Sequence, residues 1–412
     1  MTPQEVAKMA KAVVQLRKDV SRQARMAHLL ARWLVRPVFA AVPLTPWSMR
    51  VIGVLERAAL QRPAPRWASV EPVQFGDFEA EWVRSEPAAF EQVAGEHVAD
   101  TGAAKRHLRD KPTRVAGKDK PAVRAAGKAK TAVSSTPKRG KVATKSSAAS
   151  TGRAASVGAA ASVGGAAGSA AENGAVLYFH GGGFLFCGLG THRPAVASIS
   201  RASGLPALSV AYRQLPTVQL RGSIADCVAS YRFLLDQGTD PEKIVLAGDS
   251  AGGHLAFAAT LQAISEGLPR PAGIVAISPW LDLDCEAKLS HPNGARDAYA
   301  PVKRLPKIAE MIAGGVTPID PLLSPVNHDL SVLPPALIIA AEGEILRYDS
   351  ELMAERLAAA GVPCVLQIWE GQVHAFPVAV GLFPEAGQAI REIGSFVRGL
   401  VEGRVLPVSE AS

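Results

Sequence analysis

Residues 244–266 read Ile-Val-Leu-Ala-Gly-Asp-Ser-Ala-Gly-Gly-His-Leu-Ala-Phe-Ala-Ala-Thr-Leu-Gln-Ala-Ile-Ser-Glu. Ile244–Ala247 is a continuous apolar run of strand length, and Ala251–Glu266 has the composition of a helix. Between them Gly248-Asp249-Ser250-Ala251-Gly252 fits G-x-S-x-G. A chance match is expected about 0.2 times in such a chain, so the pattern gains weight only from its strand–turn–helix setting. The glycines allow a sharp turn that lifts the Ser250 hydroxyl above the sheet edge, and the helix start aims free N–H groups at the same place. Similar apolar runs recur at Ala175–Phe179, Ala207–Ala211, Gly273–Ile277, Ala336–Ala340 and Val365–Trp369. Helical stretches at about Ile224–Asp236, Ser350–Ala360 and Pro384–Gly403 alternate with them. Continuous apolar strands separated by helices predict a mostly parallel, doubly wound α/β sheet covered on both faces.

A serine nucleophile needs oxyanion donors, a base, and an acid that fixes the tautomer of the base. His180-Gly181-Gly182-Gly183 follows the run Ala175–Phe179, and a chance H-G-G-G is expected about 0.006 times. Consecutive glycines let backbone N–H groups turn inward, where the N–H of Ala251 would join them. The stretch contains neither GK[ST] nor GxGxxG, so a phosphate loop is not indicated. His374 lies five residues past Trp369 and suits the base. Glu342 and Glu344 both follow Ala336–Ala340, and the order serine, acid, histidine matches a known arrangement of such triads.

The flanks differ in character. Residues 4–35 repeat apolar positions at three and four steps, from Val6 and Met9 to Leu30 and Leu34, which predicts one basic amphipathic helix. A second helix is expected over about Pro46–Leu60. Val70–Ser85 reads as two strands around a Gly76-Asp77 turn. From Ala99 to Ala171 the chain is nearly all Ala, Lys, Arg, Gly, Ser, Thr, Pro and Val, a composition that cannot offset its ordering entropy and is expected to be disordered. The 412-residue chain carries net +8, but residues 1–36 hold eight Lys/Arg against two acids and residues 100–170 hold fifteen against three. The remaining body is therefore acidic, and the basic pI describes two appendages. The four cysteines, Cys187, Cys227, Cys285 and Cys364, form no CxxC pair, which argues against a zinc site or a disulfide framework. No stretch suits a membrane span, since the uncharged Ala154–Ala171 is too Gly-rich. No apolar core of a signal peptide follows the N-terminal charges.

Together the chain resembles the hormone-sensitive-lipase branch of the α/β-hydrolase fold, the bacterial family IV esterases. Besides HGGG and GDSAGG, AYRQLP (211–216), SPWLDL (278–283), DPLLSP (320–325) and GQVHAF (371–376) resemble family stretches. The resemblance covers about Val70–Gly403 apart from the basic insertion. It implies oxyanion donors at Gly182 and Gly183, and a cap formed by the N-terminal helices and about 284–320. The family's acid motif, D-x-L-x-D, aligns on Leu346 and implies Glu344 as the acid. That leaves Glu342 and Asp349 as alternatives, with Asp349 read as a cap of the helix that follows. The altered 212–217 tract and the insertion depart from the family.

The division expected is therefore basic and cap helices (1–69), first strands (70–98), insertion (99–173), catalytic core (174–403) and tail (404–412). The expected function is hydrolysis of short- to medium-chain carboxylic esters through an acyl-enzyme on Ser250, with His374 as base, Glu344 as acid, and Gly182, Gly183 and Ala251 holding the oxyanion. Phe184, Trp280 and Tyr299 are pocket-lining candidates that packing in the core would explain equally well. No metal or organic cofactor is expected. A deacetylase or amidase acting on a larger metabolite is the alternative, followed by a non-catalytic binder on the same scaffold, as in the gibberellin receptors. The expected partner is a small ester. Weak contact of 1–36 and 100–170 with nucleic acid or an anionic membrane is compatible with the charge, and the oligomeric state is open. A cytoplasmic location, peripheral at the inner membrane surface, fits these readings.

Overall fold

The computed structural model describes residues 12–59, 61–85 and 174–404; residues 1–11, the insertion expected at 99–173 and the tail from 405 lie outside them. Among the described residues nine strands form one sheet: β1 Val13–Arg17, β2 Ala68–Phe75, β3 Phe78–Ser85, β4 Ala175–Phe179, β5 Ala207–Ala211, β6 Ile244–Asp249, β7 Gly273–Ile277, β8 Ala336–Ala341 and β9 Cys364–Trp369. Their order is β1-β9-β8-β7-β6-β4-β5-β3-β2. Among these described strands the β2–β3 and β3–β5 pairings are antiparallel and the rest parallel. The hairpin turns at Gly76-Asp77, with Phe75 opposite Phe78.

The strands β4–β9 are mostly apolar because both faces are covered, with Ser209, Asp249 and Gln367 as buried polar members. Side chains alternate faces along a strand, so Leu177, Phe179 and Leu246 join one core with Tyr231, Leu255, Phe257 and Leu357 from the helices Leu220–Asp236, Ala251–Ser265 and Arg347–Ala359. Val176, Tyr178 and Val245 join the other, with Val196, Ile199, Ile393 and Val397 from Leu189–Ser203 and Pro384–Val401.

The chain leaves β4 toward β5 on one side and returns to β6 on the other, so β4 and β6 are neighbours whose following loops diverge. That switch point opens a crevice at the carboxyl ends of the strands, the usual ligand position in such sheets. The HGGG loop follows β4, and Ser250 follows β6.

The N-terminal expectation needs correction. Residues 13–17 are a strand rather than part of a helix, and they pair in parallel with β9. Val13-Val14-Gln15-Leu16 suits a strand as well as a helix, and the open backbone edge of β9 decides between them. Arg17 fixes the strand further through Glu392 at 2.6 Å. The helix begins only at Arg22, capped by Ser21, and runs through a π-helical turn at Ala31–Val35 to Ala41. A second helix spans Pro46–Ala59. The segment expected as a cap, about 284–320, contains short helices at Glu286–Ser290, Asn293–Arg296 and Leu305–Ile312. Arg36 donates to Gly294 O at 3.1 Å, Arg32 to Ala295 O at 3.2 Å, and Arg304 back to Ala40 O and Val42 O, each at 2.6 Å.

Candidate active site

Ser250 sits between β6 and the helix Ala251–Ser265 with φ +53° and ψ −114°. A non-glycine residue in that region costs about 1–3 kcal/mol and persists only where its surroundings impose it. Its N–H donates to Ile277 O at 2.8 Å, and its carbonyl accepts from Trp280 N at 3.2 Å and His254 N at 3.1 Å. The glycines of the motif are steric requirements. A Cβ on Gly252 would collide with the Phe179 carbonyl, and one on Gly248 with the Gly252 backbone.

The Ser250 Oγ lies 2.9 Å from His374 Nε2, and His374 Nδ1 lies 2.7 Å from Glu344 Oε2. The carboxylate fixes the tautomer: Nδ1–H donates to Glu344, which leaves Nε2 to accept the serine proton. Glu344 is buried, and its other oxygen accepts from Ala341 N at 2.9 Å. Burial disfavours the His374 cation, but the Glu344 hydrogen bond and the charges of Glu344, Asp297 and Asp249 outweigh it and raise the imidazole pKa above its ordinary value. Glu342 instead faces Arg296 at 3.0 Å.

Asp349 stands in the first turn of the helix Arg347–Ala359 rather than at its N-cap, Leu346, so its expected capping role is corrected. Its Oδ2 accepts from Leu281 N at 2.8 Å and Asp282 N at 3.0 Å, and its Oδ1 meets Lys288 Nζ at 2.9 Å in a fully buried pair. Burial pushes the Asp349 carboxyl up to about 6, still below neutrality. Burial also works against the Lys288 cation, yet the Asp349 charge raises its pKa overall. The pair ties the cap segment to the body.

Gly182 and Gly183 have φ +116° and +63°, values that favour glycine. Neither donates its N–H to another group among the described residues, and Ala251, first in its helix, has no intrahelical acceptor for its N–H. The loop is set from beneath by Asp249, whose Oδ1 accepts from Gly181 N at 3.0 Å and Tyr178 Oη at 2.7 Å. Burial works to raise the Asp249 carboxyl, but the charge and hydrogen bond of His192 and the hydrogen bond of Tyr178 hold it below the ordinary value. His180 is buried, stacked on Tyr212 at 4.5 Å, and lowered to about 4 by burial, so it is neutral.

Of the pocket candidates, Tyr299 stands at the site, its ring centroid 5.4 Å from that of His374. Phe184 and Trp280 are buried in the core, 6.3 Å apart, with Trp280 Nε1 donating to Asp282 O. Residues the sequence did not single out meet Tyr299 there. Phe39 lies 5.2 Å from Tyr299 and 5.5 Å from Phe186. Asp297, buried, accepts from Ile345 N, Tyr299 N and Ala300 N, and Asn293 Nδ2 donates to the Glu342 and Glu344 carbonyls. These bonds hold the cap segment against the acid loop. Two open clefts of about 490 and 600 Å³ lie away from Ser250, one lined by Met49, Leu215 and Met311, the other by Arg25, His28 and Gln372. Among the described residues no group of three metal-ligating side chains is assembled.

A family model described as alpha/beta hydrolase fold matches residues 176–378. "Esterase LipU" of Mycobacterium tuberculosis is 41% identical over 230 residues, 54% of this chain and 77% of that protein. "Carboxylesterase/phospholipase LipF" of the same organism is 42% identical over 243 residues, 56% of this chain and 64% of that one. An "Acetyl-hydrolase" of Streptomyces hygroscopicus is 37% identical over 224 residues, 54% of this chain and 75% of its own. A crystal structure described as an esterase from the bacterial hormone-sensitive lipase family superposes with TM-score 0.65 at 25% identity, over 93% of this chain and 99% of that one.

Proposed function

The chain belongs to the hormone-sensitive-lipase-like esterases of the α/β-hydrolase fold and hydrolyses carboxylic esters, and on that premise we propose that Ser250, His374 and Glu344 carry the reaction. His374 Nε2 takes the hydroxyl proton as Ser250 Oγ attacks the ester carbonyl. The N–H groups of Gly182, Gly183 and Ala251 hold the oxyanion. As the C–O bond breaks, the imidazolium returns its proton to the leaving alcohol. Water, deprotonated by the same nitrogen, then attacks the acyl-enzyme, and the imidazolium returns that proton to Ser250 Oγ as the acid is released. Glu344 keeps the imidazole oriented and stabilises its cation. Tyr299, Phe39 and Phe186 are proposed to line the pocket. The observation that carries the reading is the pair of hydrogen bonds, 2.9 and 2.7 Å, linking serine, histidine and glutamate.

The test is turnover of nitrophenyl esters from acetyl to palmitoyl by the native chain and by Ser250→Ala. Short- to medium-chain esters are expected to turn over with native enzyme only. Equal turnover by the variant would overturn the mechanism. A second reading, removal of an acetyl group from a larger alcohol, draws support from the similarity to the acetyl-hydrolase; activity confined to the acetyl ester would favour it.

Cys227, Cys285 and Cys364 are buried thiols, which suits a reducing compartment. No described helix is long and apolar enough to cross a membrane. The basic stretches 1–36 and 100–170 are proposed to bring the enzyme to anionic surfaces, and their charge is the support for this.

A further inference from the structure

The helical run Arg22–Ala41 buries only its small residues. Ala24 and Ala31 face the body, whereas Met26, Leu29, Leu30, Trp33, Leu34 and Val38 are exposed on one continuous stripe. Trp33 is 72% exposed, and Trp47 at the start of the next helix is 73% exposed. Of the seventeen large apolar residues exposed among those described, ten lie within residues 14–54. Arg22, Arg25, Arg32 and Arg36 follow at helical spacing along one border of the stripe. Residues 12–54 hold seven Lys/Arg against a single acid, Asp19. A broad apolar face bordered by arginines and carrying exposed tryptophans is the pattern of a helix lying in a bilayer interface.

The charge decides among occupants. A second copy packed symmetrically on this face would set arginine rows against each other. The 100–170 stretch is itself basic and poor in apolar side chains, so it complements neither property of the face. An anionic bilayer complements both.

The same run reaches the site. Phe39 packs against Phe186 and Tyr299, and the Tyr299 ring lies beside that of His374. Arg32 and Arg36 bind carbonyls of the cap segment. We infer that the exposed stripe Met26–Val38 docks on an anionic bilayer and that the enzyme draws amphiphilic esters from it past Phe39 to Ser250. The docking half stands on the surface alone; the substrate half rests on the esterase reading.

Flotation with vesicles of phosphatidylglycerol and phosphatidylcholine, against phosphatidylcholine alone, tests the docking at about 150 mM salt, where long-range attraction is screened. The native full chain is expected to float with the anionic vesicles only. Trp33→Ser combined with Leu34→Ser, both exposed positions, is expected to lower flotation at least about tenfold. The double variant should turn over dissolved nitrophenyl acetate as the native enzyme does, and lose at least about tenfold on a medium-chain ester carried in the anionic vesicles. Equal flotation of both forms would overturn the docking, as would a native dimer that the double variant converts to monomer. Lost flotation with unchanged turnover of the vesicle ester would overturn the delivery of substrate. Ser250→Ala should float like the native chain, so a failure of the esterase mechanism is read separately from a failure of docking.

Discussion

Leu246 in β6 and Leu34 in the N-terminal helical run are the same residue in two regions with opposite fates. Leu246 is wholly buried between the layers of the sheet body, and Leu34 is 62% exposed. Around Leu246 each apolar position is matched by a helix from this chain. Around Leu34 the apolar period is equally regular, but the described residues place nothing on it. Periodicity states that an element has a face to cover; only packing states what covers it. The proposed triad belongs to the first region, where strand ends are fixed, and Phe39 of the second reaches the Tyr299 ring beside His374.

The largest expected effect breaks the chemistry and leaves both regions folded. Ser250→Ala should lower ester turnover by at least about 10³-fold, approaching the ~10⁶-fold that removing the nucleophile costs in a serine protease, with an unchanged melting temperature. Single-turnover assays on nitrophenyl butyrate check it. Glu344→Gln should cost somewhat less, up to about 10⁴-fold, because the neutral amide leaves the imidazole in the wrong tautomer. The pH profile separates this from simple damage. The imidazole must be neutral to act as base, so kcat/KM rises as pH increases through its pKa. Glu344 holds that pKa above the ordinary histidine value, so the acid limb of the native enzyme should lie above about 6.5. In Glu344→Gln the limb should move to lower pH. An unmoved limb would show that the carboxylate does not govern the histidine.

Asp349→Asn probes how the cap segment is tied to the body. It leaves Lys288 buried without its counter-charge, which costs about 3–5 kcal/mol of stability. Urea unfolding at neutral pH reads this directly. Turnover per folded molecule should remain far above that of Glu344→Gln. A larger loss of turnover in Asp349→Asn would mean that the acid had been placed on the wrong carboxylate.

The legible parts of the sequence were those where the backbone constrains residue type. The elbow at Ser250 and the turn through Gly182 and Gly183 admit little but glycine around them, so both left local patterns. The acid was harder. Glu342, Glu344 and Asp349 crowd eight positions, and only the turn after β8 sends Glu342 to Arg296, Glu344 to His374 and Asp349 to Lys288. Phe39, Phe186 and Tyr299 meet from three distant segments, and no spacing along the chain encodes such a meeting. Residues 13–17 satisfy strand and helix periods alike, and the edge that selects the strand, β9, comes near the other end of the sequence.

The smallest expected effect returns to the two leucines. Leu246→Ala removes a side chain from a close-packed core that cannot collapse around the gap, and should cost about 2–5 kcal/mol. Leu34→Ala removes the same atoms from a surface already in water. Its stability change in dilute buffer should stay within about 0.5 kcal/mol. Paired urea titrations with equal slopes measure both. A cost for Leu34→Ala near that of Leu246→Ala would mean that the N-terminal face is covered within the free protein, and the bilayer would lose its vacancy. A near-zero cost that grows when anionic vesicles are present would place the missing partner outside the chain, because a ligand that binds only the native state adds stability in proportion to its binding free energy.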